Sequence, residues 1–561
     1  MRRRLPLQRR PSGTLMRLAV TAALGAPLFP LHGLAAVMPP AQAAAPGTAA
    51  GATPKFDIWE FLVLGNHVLP QTTVEATVYP FLGSNRDLGT VKQAAAALEE
   101  VYKKAGYGAV FVDIPEQEVT AGVVRLRVTE GDLESVRTRG ARYFSDRQIR
   151  EALPALRNGQ TPLLTALQTE LSALNSQTAD RQVTPVLKAG SRPGTVDVDL
   201  DVKDRLPLHA SVSYDDRHTA DTTPNRLTAT LAYTNLWQRL DSISLLYQTA
   251  PADRENATVE SATYLGHIPD ATGLAAFSYT HTTSNVLALG TLGVLGKGNI
   301  YGLHWLQPLP ATSVLTQSLN AGADYKSVRT DVFPNAPASA SGGSSSASAA
   351  PVTAPVRYIN WSADYEGTWR LPTRTFTTSL GVNFGVNGLV NQTQEFNTAR
   401  YNASPDYLYL RFSGGAIQKL PADFAVLGRI TGQWADSPLV NNEQFSLGGE
   451  DTVRGYLEAE TLGDSGLAGT VELHGPDLGR FTKPVLTQLY LFGFVDSGVA
   501  TLLDPLPGQD YHLHLWSTGV GLQLAGLAGL AGTLDYAIPE QDGIRTRKHH
   551  PRMDFSVRFG F

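Results

Sequence analysis

The stretch Ile359-Asn360-Trp361-Ser362-Ala363-Asp364-Tyr365-Glu366-Gly367-Thr368-Trp369-Arg370 alternates between residues that suit an apolar face and polar residues. Successive side chains of a β-strand point to opposite faces, so this stretch predicts a strand with one apolar and one polar face. The alternation recurs over residues 376–387 and at the C-terminus, where Phe555, Val557, Phe559 and Phe561 form the apolar face. The chain after Arg205 is therefore predicted to consist of two-faced strands.

Two-faced strands suit either a water-soluble sandwich, in which the apolar faces meet, or a membrane barrel, in which they meet lipid. Aromatic residues near the predicted strand ends favour the barrel, because such residues collect at the two membrane interfaces; they include Trp361, Trp369, Phe424 and Trp434. Residues 206–561, at roughly 22 residues per strand and connection, predict about 16 antiparallel strands. We therefore predict a transmembrane β-barrel.

The first 43 residues have the features of a secretory signal. Six arginines precede or open an apolar stretch over residues 18–37, and Ala41-Gln42-Ala43 has the small-x-small form of a cleavage site. A transmembrane anchor is the alternative, but Pro27 and Pro30 interrupt the apolar run. An organelle transit peptide shares only the arginine-rich start. We expect a signal peptide over residues 1–43 and a short linker over residues 44–55.

Composition agrees with an extracytoplasmic location. The chain has no cysteine, which suits an oxidising compartment such as the periplasm. Its net charge of −5 gives no basic face for nucleic acid. The most apolar later stretch, residues 519–534, is too short and too rich in glycine for a spanning helix. Any membrane crossing by the mature chain is therefore expected to use strands.

One pattern of elements occurs twice before the predicted barrel. A strand, over residues 56–66 in the first copy and 133–140 in the second, leads into two helical stretches. Each copy closes on an alternating strand, over residues 123–129 or 196–202. The order within each copy is β-α-α-β-β.

Glycines repeat with this pattern: Gly140 follows Gly65 by 75 positions, and Gly194 follows Gly122 by 72. The order of elements in the tandem copies resembles that of POTRA domains. The resemblance implies two α+β POTRA domains, over residues 56–130 and 131–205.

Asp197, Asp199 and Asp201 share one face of the closing strand of the second copy. Side chains two positions apart on a strand are about 7 Å apart, which is too far to enclose one cation. We therefore expect a solvated face here and not a metal site.

The most specific motif is Leu447-Gly448-Gly449-Glu450-Asp451-Thr452-Val453-Arg454-Gly455-Tyr456, in a long loop predicted over residues 441–468. A second motif, Phe494-Val495-Asp496-Ser497-Gly498, lies on a late predicted strand. By alternation Asp496 shares a face with Phe492 and Phe494. Because a carboxylate facing lipid is costly, this face is expected to line the lumen.

These motifs resemble those of the two-partner secretion transporter family (TpsB; haemolysin secretion/activation type) within the POTRA-barrel superfamily. Val453-Arg454-Gly455-Tyr456 matches the tip of the family's long sixth extracellular loop, and Phe494-x-Asp496-x-Gly498 matches its inner-wall motif. The start of the barrel, residues 233–245, is also similar. With the POTRA pair, the resemblance covers nearly the whole mature chain.

The resemblance implies that the loop folds back into the lumen, where Arg454 meets Asp496 on the wall. A partly dehydrated channel favours such a guanidinium–carboxylate pair, and Gly455 would permit a tight turn at the tip. Phe561 resembles a C-terminal signal recognised by barrel-assembly machinery. The predicted functional residues are Val453, Arg454, Gly455, Tyr456, Phe494, Asp496, Gly498 and, for assembly, Phe561.

Two segments of the chain are expected not to form packed helices or strands. Family members often begin with a helix that plugs the pore, whereas residues 44–55 are rich in Ala, Gly, Pro and Thr, so we expect no plug helix. Pro334–Pro355 is almost wholly Ala, Ser, Gly, Pro and Val, and is expected to form a flexible extracellular loop.

The resemblance implies an outer-membrane transporter whose periplasmic POTRA domains capture an unfolded secreted protein for export through the barrel. The expected partners are this exoprotein, outer-membrane lipid, and the periplasmic chaperones and barrel-assembly machinery that insert the barrel. A barrel-assembly insertase of the same superfamily is one alternative, although insertases usually carry more POTRA copies. A passive porin, which lacks capture domains, and a soluble β-sandwich adhesin are the others.

We expect no enzymatic activity, cofactor or metal. Gly463-Asp464-Ser465-Gly466 is similar to a protease nucleophile motif, but no matching histidine segment precedes it and turn chemistry explains it better. His549 and His550 lack further metal ligands. The chain also lacks a glycine-rich lysine motif for phosphate.

Overall fold

The structure is a computed structural model that describes residues 54–220, 222–254, 257–269, 271–283, 286–287, 294–295, 297–332, 352–526 and 529–561. The signal peptide, residues 44–53 of the linker and residues 334–351 of the expected extracellular loop lie outside the described residues. The described chain forms two compact units, one up to Pro207 and one from Leu208. None of its helices combines the length and the apolar character needed to span a membrane.

The first domain of the N-terminal unit contains β1 (Phe56–Ile58), β2 (Glu60–Leu64), α1 (Gln71–Val78), β3 (Gly83–Arg86), α2 (Leu88–Lys104), β4 (Val110–Asp113) and β5 (Val123–Glu130). Its main sheet has the order β2-β5-β4, with β2 parallel and β4 antiparallel to β5. The amphipathic face of α2 buries Val91 and Leu98. The single strand expected over residues 56–66 is divided at Trp59, because β1 pairs with β3 instead of joining the main sheet.

The second domain repeats this arrangement with β6 (Asp132–Arg139), α3 (Asp146–Glu151), α4 (Leu164–Ser176), β7 (Arg181–Ala189) and β8 (Thr195–Asp204). Its sheet has the order β6-β8-β7, again with one parallel and one antiparallel pair. Gly65 and Gly140 end the first main strand of each domain with φ of +83° and +82°. A Cβ on either glycine would lie within 2.4 Å of a carbonyl oxygen on the closing strand, so both copies require glycine there.

The solvated face expected for the three aspartates is wrong for Asp199. This side chain is buried, and its carboxylate lies 2.5 Å from Lys188 Nζ and 3.1 Å from Arg139 Nη2. Asp197 lies 3.5 Å from Arg137 Nη2. The flanking strands of the sheet therefore place cations across this acidic row.

From Leu208 onward the strands are β9 (Leu208–Asp215), β10 (Arg226–Leu236), β11 (Asp241–Thr249), β12 (Val259–His267), β13 (Leu274–Thr282), β14 (Val286–Leu287), β15 (Val294–Leu295), β16 (Lys297–Pro308), β17 (Leu315–Val332), β18 (Val352–Arg370), β19 (Arg374–Gly385), β20 (Leu408–Lys419), β21 (Ala425–Ala435), β22 (Phe445–Leu447), β23 (Thr461–Gly463), β24 (Ser465–His474), β25 (Leu486–Thr501), β26 (His512–Gly526), β27 (Ala531–Pro539) and β28 (Arg552–Gly560). Sixteen of them, all except the short pairs β14–β15 and β22–β23, close into one antiparallel barrel. The predicted fold class and strand number are confirmed.

The two faces of the barrel strands differ as the alternation predicts. On β25, Phe494 and Asp496 are buried, whereas Leu491 and Val495 on the opposite face of the strand are 56% and 50% exposed. Trp361 and Trp434 are also exposed on the outer surface. The apolar face of the strands therefore points outward and the polar face inward.

The barrel closes between its first and last strands, where β28 pairs with β9. Phe561 extends this seam: its N–H donates to Ala210 O at 3.0 Å, and its own carbonyl accepts from Ala210 N–H at 3.1 Å. The Phe561 side chain is exposed on the outward-facing side, in line with Val557 and Phe559.

Two predicted loop boundaries are wrong. Ser465–Ala468 belong to β24 because they pair with β25, and the long loop therefore covers residues 436–464 instead of 441–468. Val352–Pro355, expected within the extracellular loop, are the start of β18, which pairs with β17. Between β19 and β20, α5 (Thr393–Ala399) buries Phe396 against Tyr358 and Tyr407.

Candidate functional site: the loop inside the barrel

The candidate site is built by the connection between β21 and β24, which turns back against the inner wall of the barrel. β22 and β23 pair within this loop as a short antiparallel ribbon. Phe445, Leu447, Val453 and Tyr456 are buried together with Leu515 of the wall. The loop is thus packed as part of the barrel interior.

Arg454 at the loop tip binds Asp496 of β25 at two points. Its Nε lies 2.6 Å from Oδ2 and its Nη2 lies 2.7 Å from Oδ1, while its backbone N–H also donates to Oδ2 at 3.1 Å. Both residues are fully buried. This fork geometry is the strongest arrangement available to a guanidinium and a carboxylate.

Arg454 also faces two further carboxylates on the wall. Its Nη1 lies 2.9 Å from Glu472 Oε1 on β24 and 3.6 Å from Asp535 Oδ2 on β27. The guanidinium carbon stands 3.5 Å from the ring centroid of Phe494, a cation–π contact. One buried cation therefore lies among carboxylates from three strands of the wall, β24, β25 and β27, and it offsets the cost of burying their charges.

The residues beside Arg454 explain the rest of the loop motif. Gly455 has φ of +86°, and a Cβ at this position would lie 3.0 Å from Ala537 Cβ. The Tyr456 hydroxyl lies 2.8 Å from Gln541 O and 3.0 Å from Trp516 O. The tip thus turns where only glycine fits easily, and its tyrosine donates to a backbone carbonyl of β26 or of the connection that follows β27.

Gly498 of the wall motif provides space for the loop. A Cβ at this position would lie 2.4 Å from Leu447 Cδ1 and 3.0 Å from Leu467 O. The three fixed positions of the wall motif have different tasks: Phe494 stacks on the guanidinium, Asp496 pairs with it, and Gly498 accommodates the apolar base of the loop.

Arg217, which lies between β9 and β10, forms a second attachment between the loop and the rest of the barrel. Its Nε lies 2.8 Å from Glu458 Oε1 and its Nη2 lies 2.5 Å from Asp451 Oδ2, with Glu450 Oε2 at 3.8 Å. Burial raises the pKa of the Glu458 carboxyl to about 7, although the charge of Arg217 opposes this shift. Three loop carboxylates thus surround one arginine.

The two ends of the loop are attached by buried carboxylates of the loop itself. Glu443 lies 2.5 Å from Lys326 Nζ of β17 and accepts hydrogen bonds from the Tyr358 and Tyr409 hydroxyls at 2.5 and 2.6 Å. At the other end, Asp464 pairs with Arg400 and accepts the Leu503 N–H at 2.7 Å. Both side chains are fully buried or nearly so.

The polar side chains of the protease-like motif over residues 463–466 make contacts that hold the loop in place. Besides the contacts of Asp464, the Ser465 hydroxyl accepts the Ala435 N–H at 3.0 Å. His549 lies 3.1 Å from Glu540 on the connection between β27 and β28. Within the described part of the chain no group of acidic or histidine side chains has the arrangement of a metal site.

The sequence-based prediction identified one attachment of the loop and missed the other three. Glu472 alternates with the exposed Val471 and Leu473, so its inward orientation could have been inferred from the strand pattern. Arg217, Glu443 and Asp464 give no such signal, because their partners are far away in the sequence.

Comparison with known proteins agrees with this architecture. Residues 56–131 match the model of the ShlB-type POTRA domain, and residues 355–524 match that of the haemolysin secretion/activation protein ShlB/FhaC/HecB. The chain is 23% identical to the outer membrane transporter CdiB of Dickeya dadantii, over 84% of this chain and 81% of that protein. It is 21% identical to the heme/hemopexin transporter protein HuxB of Haemophilus influenzae, over the same shares.

Solved structures share the fold. CdiB from Escherichia coli superposes with a TM-score of 0.57 at 18% identity, covering 92% of this chain and 93% of that one. BamA from Haemophilus ducreyi, lacking POTRA domains 1–3, gives a TM-score of 0.55 at 13% identity, covering 90% and 100%.

A closed sixteen-stranded barrel, an N-terminal POTRA region and a long loop fixed to the inner wall define an outer-membrane transporter of the POTRA-barrel class. Within this class, the matched segments, residues 56–131 and 355–524, are those of the two-partner secretion transporters of the ShlB/FhaC/HecB haemolysin secretion/activation type. The barrel resides in the outer membrane and the POTRA domains in the periplasm.

Proposed function

We propose that this transporter captures one unfolded exoprotein in the periplasm with its POTRA domains and exports it through the barrel. The observation that carries the proposal is the loop over residues 436–464, which occupies the barrel interior and is attached there by four sets of side-chain ion pairs in addition to its apolar packing. Such contacts can be exchanged for others when the loop moves, whereas a barrel strand cannot leave its sheet without losing a ladder of hydrogen bonds.

We place the capture step at an edge strand of the second POTRA domain. β7 has nine residues, the greatest length among the edge strands of the two main POTRA sheets, and in the described chain no strand pairs with its outer side. Its last three residues, Leu187, Lys188 and Ala189, are exposed. An extended segment of the exoprotein could add to this edge by β-augmentation, a mode that needs little side-chain specificity.

Export needs no catalysis by this chain, and we propose that it has none. Asp464 and Ser465, which resemble part of a nucleophile motif, are committed to the Arg400 pair and the Ala435 amide. Folding of the exoprotein outside the cell would supply the direction of movement. Periplasmic chaperones and the barrel-assembly machinery would be needed only to insert the transporter, with Phe561 at its seam as the assembly signal.

The test is deletion of residues 56–204 in a strain that also expresses the exoprotein. Exoprotein should disappear from the medium while the barrel still shows a heat-dependent shift in gel mobility. Continued secretion would contradict capture by the POTRA domains. The abundance of unrelated outer-membrane proteins is measured in a full deletion of the gene; their general loss would indicate an assembly factor instead.

A further inference from the structure

The connection between β19 and β20, residues 386–407, folds into the extracellular end of the barrel. β19 runs in the same direction as β9, which leads away from the periplasmic POTRA region, so it ends at the extracellular rim. Phe396 of α5 is fully buried there, with its ring centroid 5.4 Å from that of Tyr358 on β18. The Tyr358 side chain points into the lumen, where its hydroxyl binds Glu443 of the long loop. α5 therefore occupies part of the lumen beside the long loop.

α5 depends on its surroundings for stability. It has seven residues, and a helix of this length is unstable in water by itself. Phe396 and Ala399 of the helix belong to one buried apolar cluster with Tyr409 of β20 and with Leu439 and Val440 of the long loop. The position of α5 is thus linked to the docked state of the loop.

Arg400, directly after α5, binds the last residue of the long loop. Its guanidinium pairs with both carboxylate oxygens of Asp464, with Nη2 2.7 Å from Oδ2. Its Nη1 also donates to Leu439 O at 2.7 Å, and its Nη2 donates to Leu503 O at 2.9 Å. The Asp464 carboxylate accepts the N–H groups of the same two residues, Leu439 at 2.8 Å and Leu503 at 2.7 Å.

This ion pair joins three extracellular connections. Leu439 lies near the start of the long loop and Asp464 ends it, whereas Leu503 belongs to the connection between β25 and β26. The Arg400 side chain is 14% exposed and that of Asp464 is fully buried. Because separating a buried pair leaves two charges without partners, the three connections are expected to move together.

The other contacts at this rim do not replace Arg400. Glu443 attaches the loop to Lys326, Tyr358 and Tyr409, none of which belongs to residues 386–407. Asn402 donates to Asp504 at 3.2 Å, but this hydrogen bond is exposed to solvent.

The Arg454 pair lies deeper in the barrel. Asp496 precedes Leu503 by seven positions, roughly 23 Å along an extended chain. The two ion pairs therefore hold the loop at different depths.

We propose that Arg400 is a positioning residue that holds α5 and both ends of the long loop together as an outer closure of the lumen, separate from the Arg454 pair. The outer closure consists of residues 386–407 with Leu439, Asp464 and Leu503. While the Arg400–Asp464 pair is intact, the closure keeps ions and small solutes from crossing the barrel. The further statement that it opens when the exoprotein leaves the barrel rests on the function proposed above.

The test records ion conductance of the purified full-length transporter in a planar lipid bilayer, which requires no exoprotein. In Arg400→Ala the fraction of time that the barrel conducts should rise on the order of tenfold to a hundredfold, since Asp464 loses its buried cation. Arg400→Lys keeps the charge without the fork and should lie between wild type and Arg400→Ala. If Arg400→Ala does not assemble into a heat-modifiable barrel, Arg400→Lys is compared with wild type instead.

A double variant separates the ion pair from a general disturbance of the rim. Asp464→Asn should open the barrel as Arg400→Ala does, and Arg400→Ala/Asp464→Asn should conduct little more than either single variant, because both changes remove the same contact. Effects of the two changes that simply add would contradict a role through this pair.

The matched control is Arg357→Ala, which removes another ion pair of α5. Arg357 lies 2.8 Å from Glu395, is 51% exposed and belongs to β18. Since exposed ion pairs contribute little, this variant should conduct like wild type. The proposal is overturned if Arg400→Ala and Asp464→Asn, as assembled barrels, also conduct like wild type, or if Arg357→Ala opens the barrel as much.

Conductance and secretion distinguish this proposal from the proposed function. Continued secretion after deletion of residues 56–204 would contradict capture by the POTRA domains and would leave the conductance of Arg400→Ala unaffected. Wild-type conductance of Arg400→Ala would overturn the outer closure, whatever the exoprotein does.

Discussion

Arg454 and Asp496 meet as a two-point ion pair, although 42 positions separate them in the sequence. Neither side chain reaches solvent. The pair joins the tip of a loop to the wall of the barrel in which the loop lies. Because a buried charge is costly once its partner is removed, this contact has a large effect on whether the loop stays docked.

Arg454→Ala should lower the stability of the docked loop by roughly 3–5 kcal/mol, since it leaves Asp496, Glu472 and Asp535 without their shared cation. The measurements are the temperature of the gel-mobility shift and the amount of secreted exoprotein, both of which should fall. Arg454→Lys keeps the charge without the fork and should lie between wild type and Arg454→Ala. Arg374→Ala at the barrel rim is the control. Wild-type behaviour of Arg454→Ala in both assays would show that the pair has no functional role.

Gly498→Ala should cost about 1–3 kcal/mol, because the new methyl group would overlap Leu447 and press on the carbonyl of Leu467. Shortening the obstructing side chain in Gly498→Ala/Leu447→Ala should recover part of the loss. Gly428→Ala on β21 is the control, since a Cβ there meets nothing within 4 Å. The measurement is again the temperature of the mobility shift. Equal effects of Gly498→Ala and Gly428→Ala would contradict the packing described here.

Docking of the loop should weaken as the pH rises through about 7. Burial raises the pKa of Glu458 above its ordinary value of 4.5 to about 7, so the docked loop retains a proton that the released loop gives up at lower pH. The stabilising contribution of this proton is complete at pH below 4.5 and is lost above about 7. Ionised Glu458 shares the single cation Arg217 with Glu450 and Asp451.

Hydrogen exchange of residues 450–460 measures this effect. Wild type should be better protected at pH 6 than at pH 8 once the intrinsic pH dependence of exchange is removed. Glu458→Gln, which cannot ionise, should show the same protection at both values. A pH difference that persists unchanged in Glu458→Gln would assign the effect to another group.

Capture at β7 can be detected with a single cysteine, because the chain contains none. Leu187→Cys, labelled with a short photocrosslinker in the periplasm, should form adducts with the exoprotein while export is in progress. Arg147→Cys on α3 is equally suited to labelling, since its side chain is largely exposed, and should give little adduct. Comparable yields from both positions would contradict a specific role of the β7 edge.

The fold could be predicted from the sequence because its information is local. Alternation along 359–370 determines which face of β18 is apolar, and the glycines at 65 and 140 determine where the opening strands of the POTRA domains end. Both patterns follow from backbone geometry. A tertiary structure that departed from them would bury charged side chains or force a strained backbone angle φ. The errors at Trp59 and at residues 465–468 concern ends of elements, where pairing with a distant strand decides the boundary.

The candidate site could be predicted only in part. Arg454 and Asp496 were placed together through a family resemblance, and no feature of either segment alone specifies that contact.

Local sequence patterns are enough to specify the two-faced strands, the repeat of the N-terminal domains and the inward orientation of Asp496, because each depends on neighbours a few positions away. Which charges meet depends instead on the folded barrel, which pairs Arg217 with Glu458, Lys326 with Glu443, and Arg400 with Asp464. Closing the barrel brings these segments together, and the energy of an ion pair depends on distance and burial, which sequence separation does not specify.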